Sequence, residues 1–129
     1  MPTILIADDS AVVRQAIRSV LISCPEWVVC GEASDGKEAI QKVGELKPDA
    51  ILLDLSLPSL SGTEVAKSLG RNQAAPRIIL MSQQDPSVLE EIAESVGAAH
   101  FIAKSDLATD LPKILLAAHP GTKAATVEM

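Results

Sequence analysis

The chain has 129 residues, 47% of them hydrophobic and 22% charged, with a formal net charge of -6 and an isoelectric point near 4.8. That balance suits one soluble domain, since domains commonly run to about 100–150 residues, and an acidic surface repels a phosphate backbone, which argues against nucleic-acid binding by this segment. No apolar run approaches the ~20 residues of a membrane span, no basic amphipathic stretch suits a membrane surface, and no charged leader precedes an apolar core, so the cytoplasm is the expected location.

Thr3–Ala7 is a compact apolar strand ending at Asp8 and Asp9. From Ser10 to about Cys24, apolar residues at Val12, Val13, Ala16, Ile17, Val20 and Leu21 recur with helical spacing, and Pro25 stops the run. Trp27–Ala33, rich in β-branched residues, predicts a second strand. Asp35 followed three residues on by Glu38 marks a helix start, Ala39, Ile40, Val43 and Leu46 form its buried face, and Pro48 closes it. Ala50–Leu53 is apolar without alternation, as in a central parallel strand covered on both faces, and it runs into Asp54. Leu57–Gly62 is a loop broken by Pro58 and Gly62, and a short helix follows from Thr63 to about Leu69. Arg77–Met81 is the fourth strand, ending at Ser82. Asp85-Pro86-Ser87 opens a helix with a stripe of Leu89, Ile92, Ala93 and Val96, capped by Gly97. Ala99–Ala103 is the fifth strand, ending at Lys104. The last helix is expected to start near Asp110, with Pro112 in its first turn, and to run to about Ala118. Residues 1–119 then make one domain and 120–129 a loose polar tail.

Strands alternating with helices predict an α/β fold with a mainly parallel sheet, doubly wound with helices on both faces. Cys24 and Cys30 lack the short spacing of a zinc knuckle and are expected to stay reduced as small hydrophobes. With Trp27 and Phe101 the only aromatics, the core must be aliphatic.

In open parallel sheets, sites form beyond the carboxyl ends of the strands. Asp8, Asp9, Asp54, Ser82 and Lys104 all fall there, from four different strands. Converging carboxylates repel one another, and a hard divalent cation such as Mg²⁺ resolves that repulsion. A carboxylate beside Mg²⁺ is a suitable phosphoryl acceptor, with Lys104 and Ser82 placed to hold two phosphoryl oxygens. Singly, each residue has an ordinary reading: Asp8 and Asp9 as helix-start acids, Asp54 as a loop acid, Ser82 as a strand-end hydroxyl and Lys104 as a solvated amine. It is their joint placement at the strand ends that points to chemistry.

The segments Ile4-Leu5-Ile6-Ala7-Asp8-Asp9-Ser10, Asp54-Leu55-Ser56-Leu57-Pro58 with Gly62, Met81-Ser82, and Phe101-Ile102-Ala103-Lys104 resemble the receiver domain of bacterial response regulators, from Thr3 to about Ala118. The resemblance implies a flavodoxin-like five-stranded sheet in the order 2-1-3-4-5. It further implies Asp54 as phospho-acceptor, Asp9 as a direct Mg²⁺ ligand, Asp8 as a ligand mostly through water, and the backbone carbonyl of Ser56 as another, with Mn²⁺ able to substitute. Ser82 would be the hydroxyl switch, Phe101 its rotating aromatic partner and Lys104 the phosphoryl clamp, while Ser56 and Gln84 would set the phosphoryl lifetime. A sensor histidine kinase or phosphotransfer protein is the implied donor, and the helix 4–strand 5–helix 5 surface the implied output, with homodimerisation on phosphorylation one use of it.

Glu26–Gly36 is similar to receivers of two-domain regulators carrying a LuxR-type helix-turn-helix. No such half lies in these residues, so the resemblance leaves open a stand-alone receiver or one that precedes a C-terminal DNA-binding domain. Ser105 follows Lys104 where many receivers carry a cis-proline, and a different loop shape is expected there. Three rival readings fit these residues less well. A phosphorylation-independent receiver-like module is disfavoured by the intact acid set. A haloacid-dehalogenase-like hydrolase would want an acid at Ser56, and a flavin- or dinucleotide-binding role would want glycines where Asp8-Asp9-Ser10 stands.

Overall fold

The computed structural model describes residues 1–70, 75–83 and 86–118. Its elements are β1 (Thr3–Ala7), α1 (Ala11–Leu21), β2 (Val28–Ala33), α2 (Gly36–Leu46), β3 (Ala50–Asp54), α3 (Gly62–Leu69), β4 (Arg77–Ser82), α4 (Pro86–Val96), β5 (His100–Ala103), a 3₁₀ turn (Lys104–Asp106) and α5 (Leu107–Ala118). The strands pair in parallel in the order β2-β1-β3-β4-β5, so the expected doubly wound topology is found.

Alternation along the strands divides the core in two. Leu5, Ala7, Ile51, Leu53 and Leu80 face α2, α3 and α4, where they meet Ala39, Val65, Ala66, Leu89 and Ala93. Ile4, Ile6, Leu52, Ile79, Met81 and Ile102 face α1 and α5, where they meet Ile17, Leu21, Leu111 and Leu115. All of β3 is buried, and each large aliphatic side chain buried this way contributes roughly 2 kcal/mol. Trp27, 5% exposed at the amino end of β2, packs in the α1/α5 layer and donates its indole N–H to the Leu115 carbonyl at 3.1 Å.

The cysteines are free and belong to opposite layers. Cys24 is buried beneath α1, while Cys30 is the residue skipped where the β1–β2 register shifts, its thiol 3.5 Å from the Ile4 carbonyl. Burial pushes the Cys30 thiol up, which suits an inert role.

Among the boundaries that differ from the sequence reading, three have a clear physical cause. The helical spacing to Cys24 gives an α-helix only to Leu21, because the amides of Ile22, Ser23 and Cys24 bond three residues back, to Ser19, Val20 and Leu21, and so tighten the last turn. Gly62, expected as a loop breaker, is the first residue of α3; Ser61 caps the helix and closes a reciprocal box with Glu64. The last helix starts at Leu107 rather than near Asp110, which places Pro112 inside it. Pro112 removes one hydrogen bond, but the carbonyl it leaves belongs to exposed Ala108, while Leu107, Leu111, Leu115 and Ala118 bury a continuous stripe. At α2 the expected cap is present, with Asp35 accepting from the Glu38 amide at 2.8 Å, and Glu38 in turn accepts from the Ser34 amide.

Candidate functional site

The strand order reverses between β1 and β3, and the crevice there opens between the segments carrying Asp8-Asp9 and Asp54. One carboxylate oxygen from each of Asp8, Asp9 and Asp54 lies within 4.8 Å of the others. Asp8 is fully buried, Asp54 is 2% exposed and Asp9 is open to solvent. Lys104, just past the end of β5, sends its ammonium to within 2.8 Å of Asp8 Oδ2 and 3.3 Å of Asp54 Oδ2. Asp9, Ser10, Val13, Asp54, Ser56, Ser82, Gln83 and Lys104 line a cleft of about 490 Å³.

Backbone amides fix two of the acids: Ser10 N–H donates to Asp8 Oδ1 at 2.8 Å, and Ser56 N–H donates to Asp54 Oδ1 at 3.1 Å. The second oxygen of Asp8 faces only the Lys104 ammonium, at 2.8 Å. Gly62 is required beside Asp54, since a Cβ there would lie 2.2 Å from the Asp54 carbonyl oxygen. The amide of Gly62 meanwhile donates to the Leu55 carbonyl and folds the β3–α3 loop back under the site.

Burial pushes the Asp54 carboxyl up, and the neighbouring Asp8 charge adds to this, while the Ser56 amide and the Lys104 ammonium oppose them. For Lys104, burial is the largest influence and favours the neutral amine. Contact with Asp8 and the charge of Asp54 together outweigh it and hold the ammonium above its ordinary range. Three carboxylates against one ammonium leave two negative charges in the cleft. That deficit and an all-oxygen donor set fit a hard divalent cation.

Of the residues singled out from the sequence, Asp8, Asp9, Asp54, Ser56, Ser82 and Lys104 come together here. Phe101 does not line the cleft; it is half-buried against the α2/α3/α4 layer. Gln84 lies outside the described residues, as does the tail from 120. Past Lys104 the chain goes directly into the 3₁₀ turn, and no peptide bond among the described residues is cis. Gln83, exposed at the rim, and Val13, on the first turn of α1, line the cleft without having stood out in the sequence. Each is an ordinary residue in its own element.

Residues 4–116 match the family model of the response regulator receiver domain, and the chain belongs to that family. Among curated proteins it is 40% identical over 109 residues to a protein-glutamate methylesterase/protein-glutamine glutaminase of Myxococcus xanthus, a match covering 83% of this chain and 31% of that protein. Among solved structures it is similar to the response regulator domain of Thermotoga maritima CheB (TM-score 0.81, 30% identity, covering 92% of this chain and 96% of that one). It is equally similar to a LuxR-family two-component response regulator from Aurantimonas (TM-score 0.81, 29% identity, covering 90% of this chain and 84% of that one). The likeness to LuxR-type receivers read from the sequence therefore holds, alongside one to methylesterase receivers. The chain spans about a third of the length of the first curated relatives it matches.

Proposed function

We propose that this receiver accepts a phosphoryl group on Asp54 from a phosphohistidine of a sensor kinase or phosphotransfer protein. An Asp54 carboxylate oxygen attacks phosphorus, the phosphorus–nitrogen bond breaks, and the imidazole leaves with the bonding pair. Asp8, Asp9, Asp54 and the Ser56 carbonyl would hold Mg²⁺, or Mn²⁺ in its place. Bound there, the ion neutralises charge that builds on the phosphoryl oxygens. Lys104, already between Asp8 and Asp54, exchanges a carboxylate partner for a phosphoryl oxygen, and the Ser82 hydroxyl donates to another. Phe101 then moves with Ser82, and the face of α4, β5 and α5 changes its partner preference, by no more than the phosphoryl group's differential interaction with the two states. Ser56 and Gln84 tune the lifetime of the phosphoryl group.

The observation that carries this reading is the set of three carboxylates within 4.8 Å of one another at the switch point of the sheet, with Lys104 bridging two of them, Asp8 and Asp54. On this reading residues 1–119 are a cytoplasmic switch whose only chemistry is its own phosphorylation and dephosphorylation, followed by a tail at 120–129. The likeness to LuxR-family receivers supports transcription regulation as the output. Acetyl phosphate with Mg²⁺ should add one phosphoryl group, read by intact mass, and chelator should prevent it. Labelling that persists in Asp54→Asn would move the acceptor elsewhere.

A further inference from the structure

We propose that Arg14, clamped by Glu32, is a positioning residue for the divalent-cation site: it fixes the peptide joining Asp8 to Asp9 and so sets where the two acids point. The inference rests on the metal site proposed above. Arg14 lies one turn into α1, and its guanidinium bridges two elements. Nη1 donates to the Asp8 carbonyl oxygen at 2.6 Å, and Nε donates to Glu32 Oε1 on β2 at 2.6 Å. Its side chain is 18% exposed, so the bridge is largely sheltered from water. The other carboxylate oxygen of Glu32 takes Arg18, and its backbone carbonyl takes the Lys42 ammonium from α2, so the clamp is itself held from two helices.

The Asp8 carbonyl belongs to the Asp8–Asp9 peptide group. That unit is planar, so anchoring its oxygen constrains the torsion on either side. The Asp8 carboxylate has its own tethers in Ser10 and Lys104, but Asp9 is exposed, and its aim is inherited from the preceding peptide. Repulsion among Asp8, Asp9 and Asp54 pushes this loop away from β3; a donor on the carbonyl holds it in place. Arginine suits the task because its planar fork serves two acceptors in fixed directions, which a lysine ammonium on a flexible stem does not.

Charge and position predict opposite outcomes. Arg14 carries a positive charge beside a cation site, so by its field alone its removal would tighten metal binding. As a positioning residue, its removal loosens binding, and groups behind metal ligands typically contribute about 10-fold or more in affinity. The test is Mn²⁺ binding to the unphosphorylated 129-residue chain, followed by electron paramagnetic resonance of the free ion. Folding of each variant is checked by circular dichroism. Arg14→Lys keeps the charge and loses the fork; Arg14→Gln loses both; Arg18→Gln removes a charge from the same Glu32 without touching Asp8. The expected result is Mn²⁺ binding weakened about 10-fold in both Arg14 variants and within about twofold of the parent in Arg18→Gln. Parent-like affinity in Arg14→Lys, tighter binding in Arg14→Gln, or equal weakening in Arg18→Gln would each overturn the proposal. If Arg14→Gln does not fold, Arg14→Lys decides. Failure of the metal site itself looks different: the parent chain would then bind no Mn²⁺ in a way that Asp9→Asn abolishes.

Discussion

At the amino ends of the strands a cleft of about 500 Å³ is lined by Asp49, Pro76, Arg77 and Ala99 among others. It is as large as the cleft of about 490 Å³ at the carboxyl ends, yet the two treat their acids differently. Asp49 is exposed, and one of its oxygens accepts the Thr3 amide at 2.7 Å. Asp8 and Asp54 are buried and share one lysine, so two carboxylates face a single ammonium. Concavity alone therefore does not distinguish the two ends; unbalanced, desolvated charge does, and such groups concentrate at functional sites.

The sharpest way to break this contrast is to neutralise one acid at each end. Asp54→Asn should abolish phosphorylation by acetyl phosphate, while Asp49→Asn should leave the rate within about twofold of the parent, because a satisfied surface acid has no part in the transfer. Equal loss in both, by intact mass, would mean that the two ends are not distinct. Next in size is Lys104→Ala. In Mg²⁺-free buffer it leaves two buried carboxylates without their cation and should cost about 3 kcal/mol of stability in urea unfolding, with much of the loss restored by Mg²⁺. A loss that Mg²⁺ does not repair would argue that no ion can take the ammonium's place.

Glycines extend the contrast to the backbone. Gly62→Ala forces a Cβ against the Asp54 carbonyl and should cost about 3 kcal/mol and slow phosphorylation. Gly97→Ala, at the opposite end with a φ of +72° and open space around it, should cost about 1 kcal/mol and leave phosphorylation unchanged. Thermal unfolding with and without acetyl phosphate separates the two.

The smallest effect is in pH. At the amino end, burial and then the Arg77 charge lower His100 from its ordinary 6.5. The unfolded chain therefore takes up that proton first, and stability falls as pH drops through about 6.5 toward the lowered value. Near the carboxyl end, the hydrogen bond from Arg18, then that from Arg14, lowers Glu32 below its ordinary 4.5, against some burial. Its contribution is complete above about 4.5 and is lost as pH falls through the lowered folded value. His100→Gln should flatten the first step of a stability–pH curve and leave the second. If His100→Gln leaves the first step unchanged, His100 is not the group that titrates there.

Sequence reasoning reached the sheet and most of the site because both are written in local patterns. Apolar runs that end in Asp8, Asp54, Ser82 and Lys104 need only the rule that parallel strands present their carboxyl ends together. What it missed depends on contacts across the fold. Pro112 suggested a helix start, and only the buried spacing of Leu107, Leu111 and Leu115 shows why the helix begins a turn earlier. Gly62 suggested a break, whereas the nearby Asp54 carbonyl is what demands a residue without a side chain. Arg14 and Glu32 are 18 residues apart on different elements, so no periodicity joins them.

Trp27 carries one practical corollary. The only indole in the chain sits at the amino end of β2, locked onto α5 through Leu115, with the sheet's full length between it and the acids. Its fluorescence should therefore follow global melting faithfully while staying silent to ions entering the far cleft. An optical signal for occupancy would require a second fluorophore, introduced near exposed Gln83.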